Sequence, residues 1–129
     1  MKFGSALRLA LPIVGAGFLC AQGGGFHRTV LQKKDLSIPG HETVVARVEI
    51  DPGASVGRHT HPGEEISYIL DGQVDILIEG QPPLHVKAGD SFVVQAGAKH
   101  DAHNTGSVPM HLVGVYVVEK GKPLATPAP

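Results

Sequence analysis

From residue 39 onward the chain never runs far before meeting residues that stop it. Pro39-Gly40, Asp51-Pro52-Gly53, Pro62-Gly63, Asp71-Gly72, the stretch from Gly80 to Pro83, and Thr105-Gly106 divide it into short apolar runs. Proline has no N–H to give a ladder and glycine permits a sharp bend, so such pairs end strands. The run from Thr43 to Ile50 alternates: Val44, Ala46, Val48 and Ile50 share one face, and Thr43, Arg47 and Glu49 the other. That period of two is the signature of a half-buried strand. No long helical period follows residue 21. About nine short strands separated by turn signals predict an all-β barrel or sandwich. A chain of 129 residues has room for one such domain. Aromatic residues make up 5% and tryptophan is absent, so Val, Ile and Leu must build the core.

In chain order, Phe26 to Ile38 is expected to hold an edge strand, and Val56 to His61 a short strand. Glu65 to Leu70 is expected to pair through the hairpin-type turn Asp71-Gly72 with Val74 to Glu79. Leu84 to Val86, Ser91 to Val94, His100 to Asn104 and Met110 to Glu119 are further strands. Gly121 to Pro129 carries three prolines and is expected to be disordered.

Chemistry concentrates between Gly53 and Gly72. His59 and His61 are two apart, so both imidazoles leave one face of a strand. Pro62-Gly63 then breaks the chain, and Glu65 at the start of the next run can swing back toward them. If pairing begins at residue 64, Glu64 faces outward while Glu65, Ser67 and Ile69 face inward. Three ligands suited to a first-row metal thus converge from two short strands. The stretch from Gly89 to Asn104 brings a fourth candidate, His100.

Together the two stretches resemble the cupin family. Gly53, His59, His61, Glu65 and Gly72 fall at the spacing of its first motif, and Gly89, Gly97, His100 and Asn104 at that of its second. Gln95 stands where the family usually has proline, which loosens the turn before Gly97 but removes no ligand. The resemblance covers residues 43–118 and implies a small double-sheet jelly-roll barrel with the ligands inside its mouth. It implies one divalent transition metal, with iron, manganese, zinc, copper, nickel and cobalt undistinguished, held by His59, His61, Glu65 and His100. It also implies a homodimer in which an N-terminal strand such as Phe26 to Gln32 covers a sheet edge. The 16 residues between Gly72 and Gly89 leave no inserted helix.

The other polar residues read more plainly. His103 is three residues past His100 and is expected on the opposite face; His85, His41 and His27 are expected to be solvated. His111 lies on the row of Val113, Val115 and Val117 and is either a pocket group or a satisfied strand histidine. Asn104 is expected to bond the turn backbone, and Arg58 to form a surface charge pair. No inward cation is evident, with Arg47 an open case, so an apolar pocket walled by Ile69, Val93 and Gln95 is expected. That favours a neutral chelating substrate over a strongly anionic one.

The N-terminus has a different character. Lys2 and Arg8 precede a mostly apolar run, Leu9 to Ala21, too short to cross a bilayer comfortably. This shape predicts a secretory signal over residues 1–21, hence a periplasmic or secreted protein, the alternative being membrane anchorage by an uncleaved N-terminus. Residues 22–42 then form a spacer and edge strand, 43–119 the cupin domain, and 120–129 the tail. Losing residues 1–21 removes two of the 11 Lys and Arg and none of the 12 acids, so the mature charge is 9 − 12 = −3. No basic patch interleaved with aromatics is present, which argues against nucleic acid as a partner. Cys20 leaves with the signal, and no membrane span remains in the mature chain.

Three imidazoles and one carboxylate leave a divalent ion with open positions, the mark of a catalytic site. A metal-dependent enzyme acting on a small chelating organic molecule is expected, first of all a dioxygenase similar to the small relatives of quercetinase. In it Glu65 doubles as general base. An isomerase or decarboxylase, or a non-catalytic binding protein of the periplasm, are the alternatives.

Overall fold

The computed structural model describes residues 25–129, so the signal segment and the start of the spacer lie outside the described residues. Ten strands follow in order: β1 Phe26–Asp35, β2 His41–Ile50, β3 His59–Thr60, β4 Gly63–Asp71, β5 Gln73–Ile78, β6 Leu84–Lys87, β7 Ser91–Val94, β8 His100–His103, β9 Met110–Glu119 and β10 Thr126–Pro127. They form two five-stranded sheets, β1-β2-β9-β4-β7 and β10-β3-β8-β5-β6, with antiparallel pairing throughout. The fold is the all-β double-sheet jelly roll that the sequence predicts. Among the described residues no helix is long and apolar enough to cross a membrane.

Alternation decides which side chains meet between the sheets. Val48 and Ile50 of β2, Ile69 of β4, Val74 and Ile76 of β5, Phe92 and Val94 of β7, and Met110 and Leu112 of β9 form one buried cluster. A second, smaller cluster of Val44, Ala46, Tyr116 and Val118 lies at the other end of β2 and β9. The inward row of β9 is therefore Met110, Leu112, Gly114, Tyr116 and Val118, each paired with an inward residue of β2. β1 is the outer strand of its sheet, as expected for an edge strand, and Val30 and Leu31 on it are exposed.

Four expectations are corrected. β4 and β5 do not pair: β4 lies between β9 and β7, while β5 belongs to the other sheet beside β8 and β6. Asp71-Gly72 carries the chain from one sheet to the other, because both runs have an inward apolar row and each sheet needs one. Gly63 does not end a strand but begins β4, where a Cβ would sit 1.9 Å from the Val117 carbonyl oxygen. Only glycine permits that approach of β4 to β9. The strand expected over Val56 to His61 is reduced to His59–Thr60, since Gly57 takes a φ of 95° and its N–H turns to the Asp101 carboxylate. Lastly, the tail is ordered. β10 pairs with β3, Thr126 opposite Thr60 and Pro127 opposite His59, and the Ala128 N–H donates to the Arg58 carbonyl at 3.0 Å. Prolines exclude a central strand but not an outer one, and β3 had a free edge.

Candidate metal centre

β3, the loop after it, β4 and β8 bring His59, His61, Glu65 and His100 together. One ligand atom from each lies within 4.8 Å of all the others, and all four residues are buried. His59 sits opposite His100 in the β3–β8 pair, and Glu65 enters from the facing sheet. Glu64 points away, as strand parity requires. His59 Nε2 is 3.2 Å from His61 Nε2; Glu65 Oε2 is 3.0 Å from His61 Nε2 and 3.3 Å from His100 Nε2.

The other ring nitrogens fix what these four atoms are. His59 Nδ1 bonds the Gly57 carbonyl at 2.6 Å, His100 Nδ1 the Ala98 carbonyl at 2.9 Å, and His61 Nδ1 the Leu124 carbonyl at 2.6 Å. A carbonyl oxygen only accepts, so each Nδ1 carries a proton and each ring turns its Nε2 to the centre, where a ring with no second proton offers a lone pair. Ser67 Oγ donates to Glu65 Oε1 at 2.7 Å and leaves Oε2 for the centre. Three imidazole Nε2 atoms and a carboxylate oxygen converge in one buried space, where a cation can take the place of the protons shared among them. The donor set therefore fits a divalent transition metal, and hydrogen-bonded Nδ1 atoms are the outer support that such ligands need.

The electrostatics agree. Burial pushes the His59 imidazolium down to about 4, helped by His100, His61 and Arg28 and opposed by the Gly57 carbonyl, so this ring is neutral at ordinary pH. Burial alone would raise the Glu65 carboxyl, but hydrogen bonding from His100, His61 and Ser67 outweighs it and holds the group well below the usual carboxylate range.

Several remaining assignments hold. Asn104 is fully buried and donates to the Ile50 and Val108 carbonyls at 2.8 and 2.9 Å, while its Oδ1 accepts from Gly106 N–H, so it anchors turns. Arg58 pairs with Glu79 at the surface. His111 is a strand histidine on the outer face and not a pocket group: its Nε2 bonds Glu49 at 3.1 Å, while its Nδ1, 3.3 Å from an Asp71 carboxylate oxygen, makes no hydrogen bond. His85 is exposed beside Asp75.

The pocket walls differ from expectation. Val93 and Gln95 are exposed, because β7 turns those side chains outward, and Ile69 belongs to the packed core. A cavity of about 20 Å³ opens on the donor set, lined by His59, Glu65 and His100, by apolar side chains such as Ile50, Val56 and Phe92, and by two further polar residues, Arg28 and Tyr116. Arg47 is exposed on the outer face, so the inward cation is Arg28. Sequence reasoning missed both residues. The signal for Arg28 was its parity with Phe26 at the start of β1. For Tyr116 it was the row running through Gly114, where a Cβ would lie 3.0 Å from the phenol oxygen. Burial pushes the Tyr116 phenol up, with the Glu65 charge adding to it, so it remains a protonated donor.

The chain is similar to several known proteins. The chain is 36% identical over 74 residues to an oxalate-binding protein of Thermotoga maritima, a match spanning 57% of this chain and 60% of that one. It is 42% identical over 52 residues to an acireductone dioxygenase of Rhodopseudomonas palustris, spanning 38% of this chain and 32% of that one. Among solved structures, a conserved protein with a double-stranded β-helix domain from Klebsiella pneumoniae superposes with a TM-score of 0.68 at 24% identity, covering 83% of this chain and 87% of that one. A predicted oxalate decarboxylase from Thermotoga maritima superposes with a TM-score of 0.53 at 31% identity, covering 61% and 80%. Residues 46–118, the stretch from β2 through β9 that holds all four candidate ligands, match the Cupin domain family, and the chain belongs to that family.

Proposed function

We propose that this cupin is a metal-dependent enzyme acting on a small organic molecule that chelates the metal. One observation carries the reading: three histidines whose Nδ1 protons are committed to carbonyls present their Nε2 atoms, with Glu65, to one buried point. A divalent metal held there supplies Lewis acidity toward a chelating substrate or an activated water. The chain's own groups do the rest. The Gly57, Leu124 and Ala98 carbonyls fix the His59, His61 and His100 rings, Ser67 orients Glu65, and the Glu65 carboxylate is placed to take a proton from a bound substrate. The apolar walls exclude water, which strengthens every charge interaction inside.

A flavonol-cleaving dioxygenase gains no support. A cavity of about 20 Å³ is little more than a water molecule needs, so a ligand of few atoms suits it. The relatives and neighbours named above are an oxalate-binding protein, an acireductone dioxygenase and a predicted oxalate decarboxylase. The first favours a second reading, a binding protein without turnover. Metal-reconstituted protein incubated with small oxo- and hydroxy-acids and diketones, followed by NMR, separates the two. New product signals that vanish after chelation establish the enzyme, whereas binding by calorimetry with no product across the panel establishes the binding protein. The apolar run from Leu9 to Ala21 supports export, and N-terminal sequencing of native protein from the periplasmic fraction tests it.

A further inference from the structure

The cavity holds a cation that metal binding does not use and electrostatically opposes. Arg28 leaves β1 on the same row as Phe26 and lines the cavity with His59, Glu65, His100 and Tyr116. Its Cζ lies 5.2 Å from the Phe26 ring centroid and 5.5 Å from that of Tyr116. Two aromatic faces at these distances hold a guanidinium in place without neutralising it. Among the described residues Arg28 has no carboxylate partner; Lys34, Arg47 and Lys99 also lack one but are exposed, whereas Arg28 lines the cavity. Its Nε is buried without a hydrogen-bond partner. A buried donor nitrogen left unpaired is costly, and although the partly exposed guanidinium also meets the Tyr116 phenol, its Nε calls for a further acceptor.

The charge balance names that acceptor. Three neutral imidazoles and one carboxylate leave a divalent ion with about one net positive charge. Arg28 adds a second beside it, inside apolar walls. Nothing about holding a metal requires this arrangement, and it weakens the hold. It becomes favourable when an anion enters, with oxygens enough for both centres. We propose that Arg28 is the anion clamp of the site and that the molecule it admits is a small carboxylate. That molecule chelates at the donor set with one end and accepts two parallel N–H bonds from Arg28 with the other. This rests on the metal reading above and replaces the expectation of a neutral substrate. The size of the cavity limits the carboxylate to a few carbons.

The test uses calorimetric titration of metal-loaded protein with malonate, and with acetylacetone as a chelator that has no carboxylate. Wild type should bind malonate, and Arg28→Met should weaken it about 30-fold, the worth of a charge-assisted bidentate pair. Acetylacetone affinity should change less than about threefold, and metal content by elemental analysis should stay the same. Arg28→Lys, which keeps the charge but loses the fork, should fall between. Equal malonate affinity in wild type and Arg28→Met overturns the clamp, as does an equal loss for both ligands. Should Arg28→Met fail to fold, Arg28→Gln and Arg28→Lys carry the comparison. A wild type that does not prefer malonate to acetylacetone is then equally fatal. Wild type that holds no metal yet binds malonate through Arg28 would instead sink the metal reading and leave the clamp standing.

Discussion

Ending the chain at Pro123 should loosen the metal although it removes no ligand. The Leu124 carbonyl is the acceptor that fixes the His61 tautomer, 63 positions away in sequence. Without it the ring is free to rotate or to carry its proton on Nε2, the atom that must be bare. Loss of such an outer partner weakens metal binding roughly 10–100-fold, or about 1.4–2.7 kcal/mol. The same truncation removes the partly buried Leu124 side chain from its cluster with Val44, Ala46, Tyr116 and Val118. It also deletes the β10–β3 pairing and one part-buried hydrogen bond, so the metal-free fold should lose roughly 2 kcal/mol. Competition against a calibrated chelator measures the first effect and thermal unfolding the second. A chain ending at Ala125 keeps the Leu124 carbonyl while losing β10, so it should melt earlier yet bind metal nearly as well as the full chain. If the chain ending at Pro123 binds metal as tightly as the full one, the tail does not position His61 and the reasoning fails.

Other outcomes follow from the same geometry. His100→Ala should lower metal affinity by more than the roughly 100-fold ceiling of an outer partner; full occupancy by elemental analysis would remove His100 from the centre. The metal-free fold should weaken with acid. His59 is held at about 4 in the fold against 6.5 when unfolded, so the unfolded chain binds its proton first. Stability is whole above pH 6.5 and declines toward pH 4 by at most about 3 kcal/mol; the depressed Glu65 carboxyl extends the loss below its unfolded value of 4.5. Urea midpoints that stay level from pH 7 to pH 4 would contradict the His59 account, and a level course below pH 4 the Glu65 one. Val30 and Leu31 on the outer strand β1 are 53% and 51% exposed, a surface that a second copy can cover. Light scattering should find two chains per particle, and Leu31→Lys should give single chains; a wild type that is already single ends that proposal.

The site was legible in the sequence where its cause is local. His59 and His61 share a face because they are two apart, and Glu65 rather than Glu64 turns inward by the parity of β4. Two of the three tautomer locks are likewise local, each an acceptor two residues back, Gly57 for His59 and Ala98 for His100. The third was hidden because Leu124 reaches His61 only after the barrel has closed, and a proline-rich tail reads as disorder when its partner strand is unknown. Arg28 was hidden for a similar reason. Phe26 and Arg28 begin a strand whose later residues, Lys33 and Lys34, look solvated, and nothing in the run says that its first turn crosses the barrel mouth. Asp71-Gly72 misled in another way. The pair has hairpin chemistry, but which strand lies beside β4 is settled by the burial needs of two sheets, and a turn does not encode that.

The hold of the tail on His61 must act in both directions. If docking the tail raises metal affinity by some factor, bound metal raises the docking equilibrium by that same factor, since the two are legs of one cycle. A loss of 10–100-fold on truncation therefore requires metal to favour the docked tail by about 10–100-fold. Docking has a local reporter in the Ala128 N–H, which donates to the Arg58 carbonyl and is released when β10 leaves β3. A second amide, Leu36 N–H to the His41 carbonyl, closes the β1–β2 turn far along the chain and does not depend on the tail. Hydrogen exchange of metal-loaded protein should slow Ala128 by roughly 10–100-fold relative to metal-free protein, with Leu36 much less affected. Equal slowing of both amides would mean that the metal stabilises the whole domain and nothing in particular at the tail. No slowing at Ala128 would break the cycle, and with it the claim that Leu124 holds a metal ligand.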